Sequence, residues 1–434
     1  MLLLFTALAA ADLPTPSTGP AVEVDIGHSD SVVWFKLEAG AGRVPGVRGG
    51  RIEPLFQTRD PSSELSRWYR LVTSPGGAMP VVRVLQQTQG VAHVELEPLP
   101  LPPPADIAPT TPDLSAEQAY MSPAPEGFGL QEAARWPGGD GGNVAVADLE
   151  YDWESEHEDL VHLGSLRSWG TPYPEYAYHG TGVMGILAAG DNGYGVTGMV
   201  PAAEMVLIHP VTPEGAYNVA RAIEASLELL QAGDVLLIEQ QAWAVENYAP
   251  VEVSAAVFDA IVAATEAGIV VIEPAGNGGQ DLDGADFGGW FDRSARDSGA
   301  ILVGGGVPPG DGFLDTRSWY PSGSCYGERV DVQGWYAGIA TTISAPYSGD
   351  LFSADDGLQS YWSGFGGTSG ASPQVTAVAA RFQSIAIALR GEPFTPAELR
   401  ALMVQTGTPQ ANPEEAWIGP QPDLRRMLLA GGLR

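Results

Sequence analysis

Residues 144–160 read VAVADLEYDWESEHEDL. The stretch opens with a short apolar run, Val144-Ala145-Val146-Ala147, that stops at a carboxylate, Asp148. Four comparable runs follow it: Met205–Ile208, Val235–Ile238, Gly268–Ile272 and Ala300–Val303. Helical patterns lie between them, notably Val219–Gln231 and Ser254–Ala267. Strands alternating with helices of this length predict an α/β fold, a mostly parallel sheet with helices on both faces. Such sheets receive ligands at the carboxyl ends of their strands, so the residues that close these runs are the first place to look for chemistry.

Composition sets bounds on what that chemistry is. The 434 residues carry 21 Lys+Arg against 53 Asp+Glu, a net charge of −32, which argues against a nucleic-acid partner. Cys325 is the single cysteine, so neither an intrachain disulfide nor a cysteine-based zinc cluster is available. No stretch has the long apolar run of a membrane span. Met1–Ala11 is apolar and ends in three alanines, which reads as a secretory signal and places the protein outside the cell or in a periplasm.

Prolines crowd PLPLPPPADIAPTTP, residues 98–112. Such a tract is extended and belongs to no core element, so residues 99–112 are read as a linker. Before it, residues 22–98 hold strand-like segments at Ser31–Leu37 and Val91–Leu96, a helix at Val81–Thr88, and a short helix or strand at Ser63–Val72. That is a small α+β unit. It carries eight basic and nine acidic side chains, against thirteen and forty-four in the rest of the chain, so the acidity belongs almost wholly to residues outside it.

Taken singly, the candidate functional residues have ordinary readings. Asp148 could be a turn former or helix cap. His179, in HGTGVMGILAAG (179–190), could be a satisfied buried histidine among glycines that permit close helix packing. Ser369, in GGTSGASPQVTAVAA (366–380), could be a helix cap, and Asn277, in EPAGNGG (273–279), a turn residue. In this order and with these flanks, however, the four segments together resemble the subtilisin-like serine proteases, whose triad runs Asp, His, Ser along the chain. The resemblance covers residues 118–433.

The resemblance implies a set of roles. Ser369 would be the nucleophile, His179 its general base and Asp148 the acid that orients the imidazole. Asn277 and the Ser369 backbone would form the oxyanion hole. Glu239, Gln240, Gln241 and Gly276 would line the substrate cleft, although Glu239-Gln240-Gln241 stands where the family usually has Ser-Leu-Gly. No cofactor is needed for the chemistry. A structural calcium ion is suggested, held by Asp159, Asn192 and Gln118 with the carbonyls of Gly190, Tyr194 and Val196, since oxygen ligands of this sort suit calcium. Residues 22–98 would be a propeptide that assists folding and then inhibits, and residues 113–434 the catalytic domain of a self-processing, monomeric endopeptidase acting on proteins or peptides. Cleavage is expected between Leu99 and Met121. A binding or scaffold protein that keeps the fold without turnover is the alternative.

Two further carboxylates, Glu239 and Glu273, close the runs Val235–Ile238 and Gly268–Ile272. Both are expected at one sheet edge near Asn277, where they would share a proton, select basic substrate side chains, or merely cap backbone groups.

Overall fold

A computed structural model describes residues 28–41, 50–58, 60–99, 110–310, 312, 314–321, 323–354 and 357–433. The segment read as a signal, and all of the linker but Leu99 and residues 110–112, lie outside them. The chain divides between residues 107 and 108 into two units.

The first unit is a four-stranded antiparallel sheet, β1 (His28–Leu37), β2 (Arg51–Pro54), β3 (Trp68–Val72) and β4 (Val91–Pro98), in the order β2-β3-β1-β4. A helix, α1 (Ala78–Gln86), covers one face. Alternate residues of β1, among them Val33, Phe35 and Leu37, meet Val82 and Leu85 of α1 in its core, the period-two pattern of a sheet with one wet face. Ser63–Val72 resolves into a 3-10 turn at Glu64–Arg67 followed by β3.

The first α-helix of the second unit is a single turn, α2 (Leu130–Ala133), and the unit is built on seven parallel strands: β5 (Ala145–Leu149), β6 (Arg167–Trp169), β7 (Glu204–Ile208), β8 (Val235–Ile238), β11 (Val270–Pro274), β12 (Ile301–Gly306) and β13 (Val332–Trp335). They lie in the order β13-β12-β11-β8-β5-β7-β6. A two-stranded hairpin, β9 (Gln241–Ala244) and β10 (Asn247–Pro250), follows β8, and a small antiparallel sheet is formed by β14 (Ile339–Thr342), β15 (Phe352–Ser353) and β16 (Ser360–Phe365). One face of the large sheet carries α3 (Ala177–Ala188) and the long α6 (Thr368–Arg390); the other carries α4 (Val219–Leu229) and α5 (Ala255–Glu266). Two short helices, α7 (Pro396–Thr406) and α8 (Leu424–Ala430), close the chain.

The central strands are buried on both faces, which is why they read as apolar runs rather than as alternating ones. Odd and even positions still part company. Val146, Leu237 and Ile272 face α3 and α6, whereas Ala147, Leu236 and Val271 face α4 and α5. Helix α6 is apolar around most of its circumference and almost wholly buried from Thr368 to Ala386, as such a helix must be. Its buried Gln374 and Gln383 bond to the Gly370 and Phe394 carbonyls, and Arg381 donates to those of Met199 and Leu130. Among the described residues no helix is long and apolar enough to cross a membrane.

Candidate active site

Strand β5 runs one turn of the pleat further than the apolar run suggests, so Asp148 lies inside it rather than after it. Val146, Asp148 and Glu150 therefore point to the same face, toward α3 and α6. Helix α3 brings His179 to this edge in its first turn. The approach depends on Gly180, because a Cβ there would stand 2.5 Å from Glu150 Cγ and 2.2 Å from the Asp152 carbonyl oxygen.

The carboxylate that meets His179 is that of Glu150, with Oε2 at 2.5 Å from Nδ1. Glu150 Oε1 accepts the Tyr151 N–H at 2.7 Å, so both oxygens are held. Asp148 is completely buried and neither of its oxygens has a hydrogen-bond partner. The expectation that Asp148 orients the imidazole is thus corrected: this geometry gives the contact to a residue two positions on, on the same face and with one more methylene of reach. Burial works to lower the His179 pKa, but the charge of Glu150 and its hydrogen bond outweigh this and raise it above the ordinary value. Burial and then the Glu150 charge push Asp148 well above the usual carboxylate range, which favours its neutral form.

Ser369 is the second residue of α6. The Thr368 N–H donates to Asn277 Oδ1 at 2.8 Å and Thr368 Oγ1 lies 3.1 Å from the same atom. Because a backbone N–H must face the oxygen of the amide, the Asn277 Nδ2 end is turned away as a free donor. The Asn277 N–H is itself held by Gln241 Oε1 at 3.0 Å. Gly276 carries φ +92°, and a Cβ on it would come 2.9 Å from the Ala249 carbonyl carbon, so β10 can lie against this turn only because residue 276 is glycine. Ser369 thus sits at a helix start, where backbone N–H groups are free of intrahelical partners, one residue from the Thr368 that holds Asn277.

Ser369 and His179 open into one cavity of about 360 Å³, walled in part by Tyr151, Tyr176, Tyr178 and Tyr248. Glu239 also faces it. Gln240 bonds outward to Tyr217 Oη and back to the Glu239 carbonyl. The Glu239 side chain is 5% exposed and both carboxyl oxygens lack a hydrogen-bond partner. Burial foremost, then the charges of Glu150 and Asp148, raise its pKa well above the ordinary value, while the Ser369 hydroxyl nearby works weakly the other way.

Glu273 is not part of this site. It follows Ile272 by one residue and so points to the opposite face, where its Oε1 accepts the Glu252 N–H at 2.9 Å. There it adjoins a buried ionic cluster in which Arg329 bonds to both Glu252 and Asp331. Burial, and after it the Glu252 charge, raise the Glu273 pKa.

The three side chains expected to hold calcium do gather, joined to one another or to backbone groups by hydrogen bonds. Asp159 accepts from Asn192 Nδ2 at 2.7 Å and from the Val196 N–H at 2.8 Å. Gln118 Oε1 accepts the Thr197 N–H, and its Nε2 donates to the Thr197 carbonyl and Tyr120 Oη. The side-chain oxygens of Asp159, Asn192 and Gln118 each accept an N–H, and Asn192 turns its NH2 toward the carboxylate. Among the described residues no group of three His, Cys, Asp or Glu side chains is arranged to hold a metal.

Comparison with known proteins adds to this geometry. A model of the subtilase family (Peptidase_S8) matches residues 140–417. The thermostable alkaline protease of Halalkalibacterium halodurans is 25% identical over 277 residues, covering 63% of this chain and 64% of that one. Subtilisin E of Bacillus subtilis is 26% identical over 281 residues, covering 62% and 61%. The chain thus spans less than two thirds of the length of these relatives. Among solved structures, the self-cleaved protease domain of PatA aligns at 19% identity over 67% of this chain and 97% of that one, with a TM-score of 0.49. The prenylagaramide maturation protease PagA aligns at 18% over 69% and 96%, with a TM-score of 0.47.

Proposed function

Because the chain belongs to the subtilase family of serine peptidases, we propose that it is a secreted, self-processing endopeptidase in which Ser369 is the nucleophile, His179 the general base and Glu150 the acid of the triad. The observation that carries this is the Glu150–His179 hydrogen bond at the mouth of the cavity that His179 shares with Ser369. With Nδ1–H held by Glu150, the other ring nitrogen is left unprotonated. It takes the Ser369 proton as Oγ attacks the scissile carbonyl, and returns it to the leaving amine. Glu150 stabilises the imidazolium formed in between. The Ser369 N–H and Asn277 Nδ2 receive the oxyanion, a contribution of roughly 2.7–4 kcal/mol per donor. Water then repeats the cycle on the acyl-enzyme.

Secretion is supported by the apolar Met1–Ala11 segment. Self-processing is supported by the near-neutral first unit and the proline-rich tract that follows it, with residues 22–98 acting as propeptide. A parallel sheet demands non-local contacts and folds slowly, so a bound partner that favours the native state would assist it.

Labelling with a serine-directed fluorophosphonate tests the reading. Wild type should react and Ser369→Ala should not; equal labelling of the two would overturn the assignment.

A further inference from the structure

Beside the triad, the cavity contains a group that the hydrolytic steps leave without work. Glu239 closes β8, 5% exposed, with both carboxyl oxygens unpartnered and its side chain facing the space next to Ser369. We propose that this cavity receives a basic side chain of the substrate, arginine or lysine next to the scissile bond, and that Glu239 is its specificity-determining ligand. The inference rests on the peptidase reading above.

Three observations support it. First, the two orphaned oxygens are a standing deficit. A buried polar atom without a partner is costly, and a guanidinium supplies two parallel N–H donors in the spacing a carboxylate accepts. An apolar side chain in the same place would seal the deficit in. Second, the remaining walls suit a cation with an aliphatic stem. Tyr151, Tyr176, Tyr178 and Tyr248 present aromatic surface, on which such stems pack and whose faces attract positive charge. Third, the groups that perturb Glu239 most are themselves carboxyls. Asp148 and Glu150 approach from the end of β5, His179 from α3 and the neutral Ser369 from α6. Among the described residues no lysine or arginine lines the cavity.

The same surroundings give the preference a pH signature. Burial and the two neighbouring carboxyls hold a proton on Glu239 in the free enzyme. A bound cation displaces that proton, so binding of a basic side chain releases it, and the advantage of a basic over a neutral side chain grows as pH rises. The titration of His179 affects both kinds of substrate alike and cancels in their ratio. An enzyme whose Glu239 only packs beneath the serine would show no such ratio.

The test compares two peptides identical except for arginine or its uncharged isostere citrulline on the acyl side of the scissile bond. Wild type should cleave the arginine peptide with a kcat/KM at least about tenfold higher. The gap should widen as pH rises. Glu239→Gln should bring the ratio close to one and flatten its pH dependence, and Glu239→Asp should restore part of both. Equal cleavage of the two peptides by wild type overturns the inference whatever the variants do, while leaving the peptidase reading intact. Fluorophosphonate labelling of Ser369 with cleavage of citrulline preferred likewise overturns it. Failure to cleave either peptide together with no labelling overturns the peptidase reading itself.

Discussion

Replacing Glu150 by Gln separates it cleanly from Asp148, because the structure dictates how an amide must sit there. Glu150 Oε1 accepts the Tyr151 N–H at 2.7 Å and Oε2 meets His179 Nδ1 at 2.5 Å. Gln has one oxygen for these two positions. The backbone N–H cannot become an acceptor, so the amide oxygen stays with Tyr151 and the NH2 faces His179. The imidazole then adopts the other tautomer, with its proton on the nitrogen that should accept from Ser369. Loss of the acid from such a triad lowers kcat by about 10⁴-fold, or roughly 5.4 kcal/mol of transition-state stabilisation. Asp148→Asn replaces a buried, unpartnered and proton-holding carboxyl with a neutral group of the same shape, and should cost less than about tenfold. Steady-state hydrolysis of one peptide by both variants is the assay. Its pH profile adds a check: without the Glu150 charge the His179 pKa falls, so the acidic limb of kcat/KM moves to lower pH in Glu150→Gln and stays in place in Asp148→Asn. A loss in Asp148→Asn as large as that in Glu150→Gln would refute the reasoning.

Ser369→Ala should remain full length where purified wild type sheds its first unit, cut between Leu99 and Met121; mass spectrometry after expression without host proteases decides. Excess chelator should leave the melting curve unchanged, since the Asp159 oxygens are satisfied by Asn192 and Val196. Asp159 is instead a pH-sensitive element: burial foremost pushes its pKa up to about 7. The folded state holds that proton where the unfolded chain has lost it, so stability falls as pH rises from about 4 to about 7, by roughly 4 kcal/mol. Asp159→Asn should flatten denaturant-derived stability across that window relative to wild type. Arg329→Met strands Glu252 in the core, while Asp331 keeps its pairing with Arg293, and should cost about 3–5 kcal/mol in the same measurement.

The sheet was legible because strands buried on both faces are forced to be apolar, and each of the five runs read in the sequence marks one of its strands. The edges were not. Arg51–Pro54 is a four-residue strand with a proline and no buried residue, held by pairing to β3 alone, and nothing in its composition marks it. The segment from Gln241 is expected only as cleft lining, where the family has Ser-Leu-Gly. It folds as the β9–β10 hairpin, turned at Val245 with φ +57°, a conformation a β-branched residue seldom adopts. Trp243 is left 68% exposed on it. No propensity argument selects such a turn; the hairpin lies against Gly276 and Gly278, a tertiary contact.

The carboxylates show what the sequence held and how it had to be read. Asp148 drew attention as the residue that ends the apolar run, and Glu239 and Glu273 for the same reason. Position at a strand end decides only which edge of the sheet a side chain reaches. Which face it reaches is decided by parity. Counting in twos from Val146 passes through Asp148 to Glu150, and from Leu237 to Glu239, so all three carboxyls fall on the α3–α6 side with His179 and Ser369. Counting from Ile272 passes over Glu273 to Pro274, which does line the cavity, and leaves Glu273 on the other face with Glu252. The alternation that assigns core residues therefore also sorts these acids. What it could not supply is the last ångström: that the imidazole of α3, drawn in over Gly180, meets the longer side chain past the strand end and leaves the shorter one within the strand without a partner.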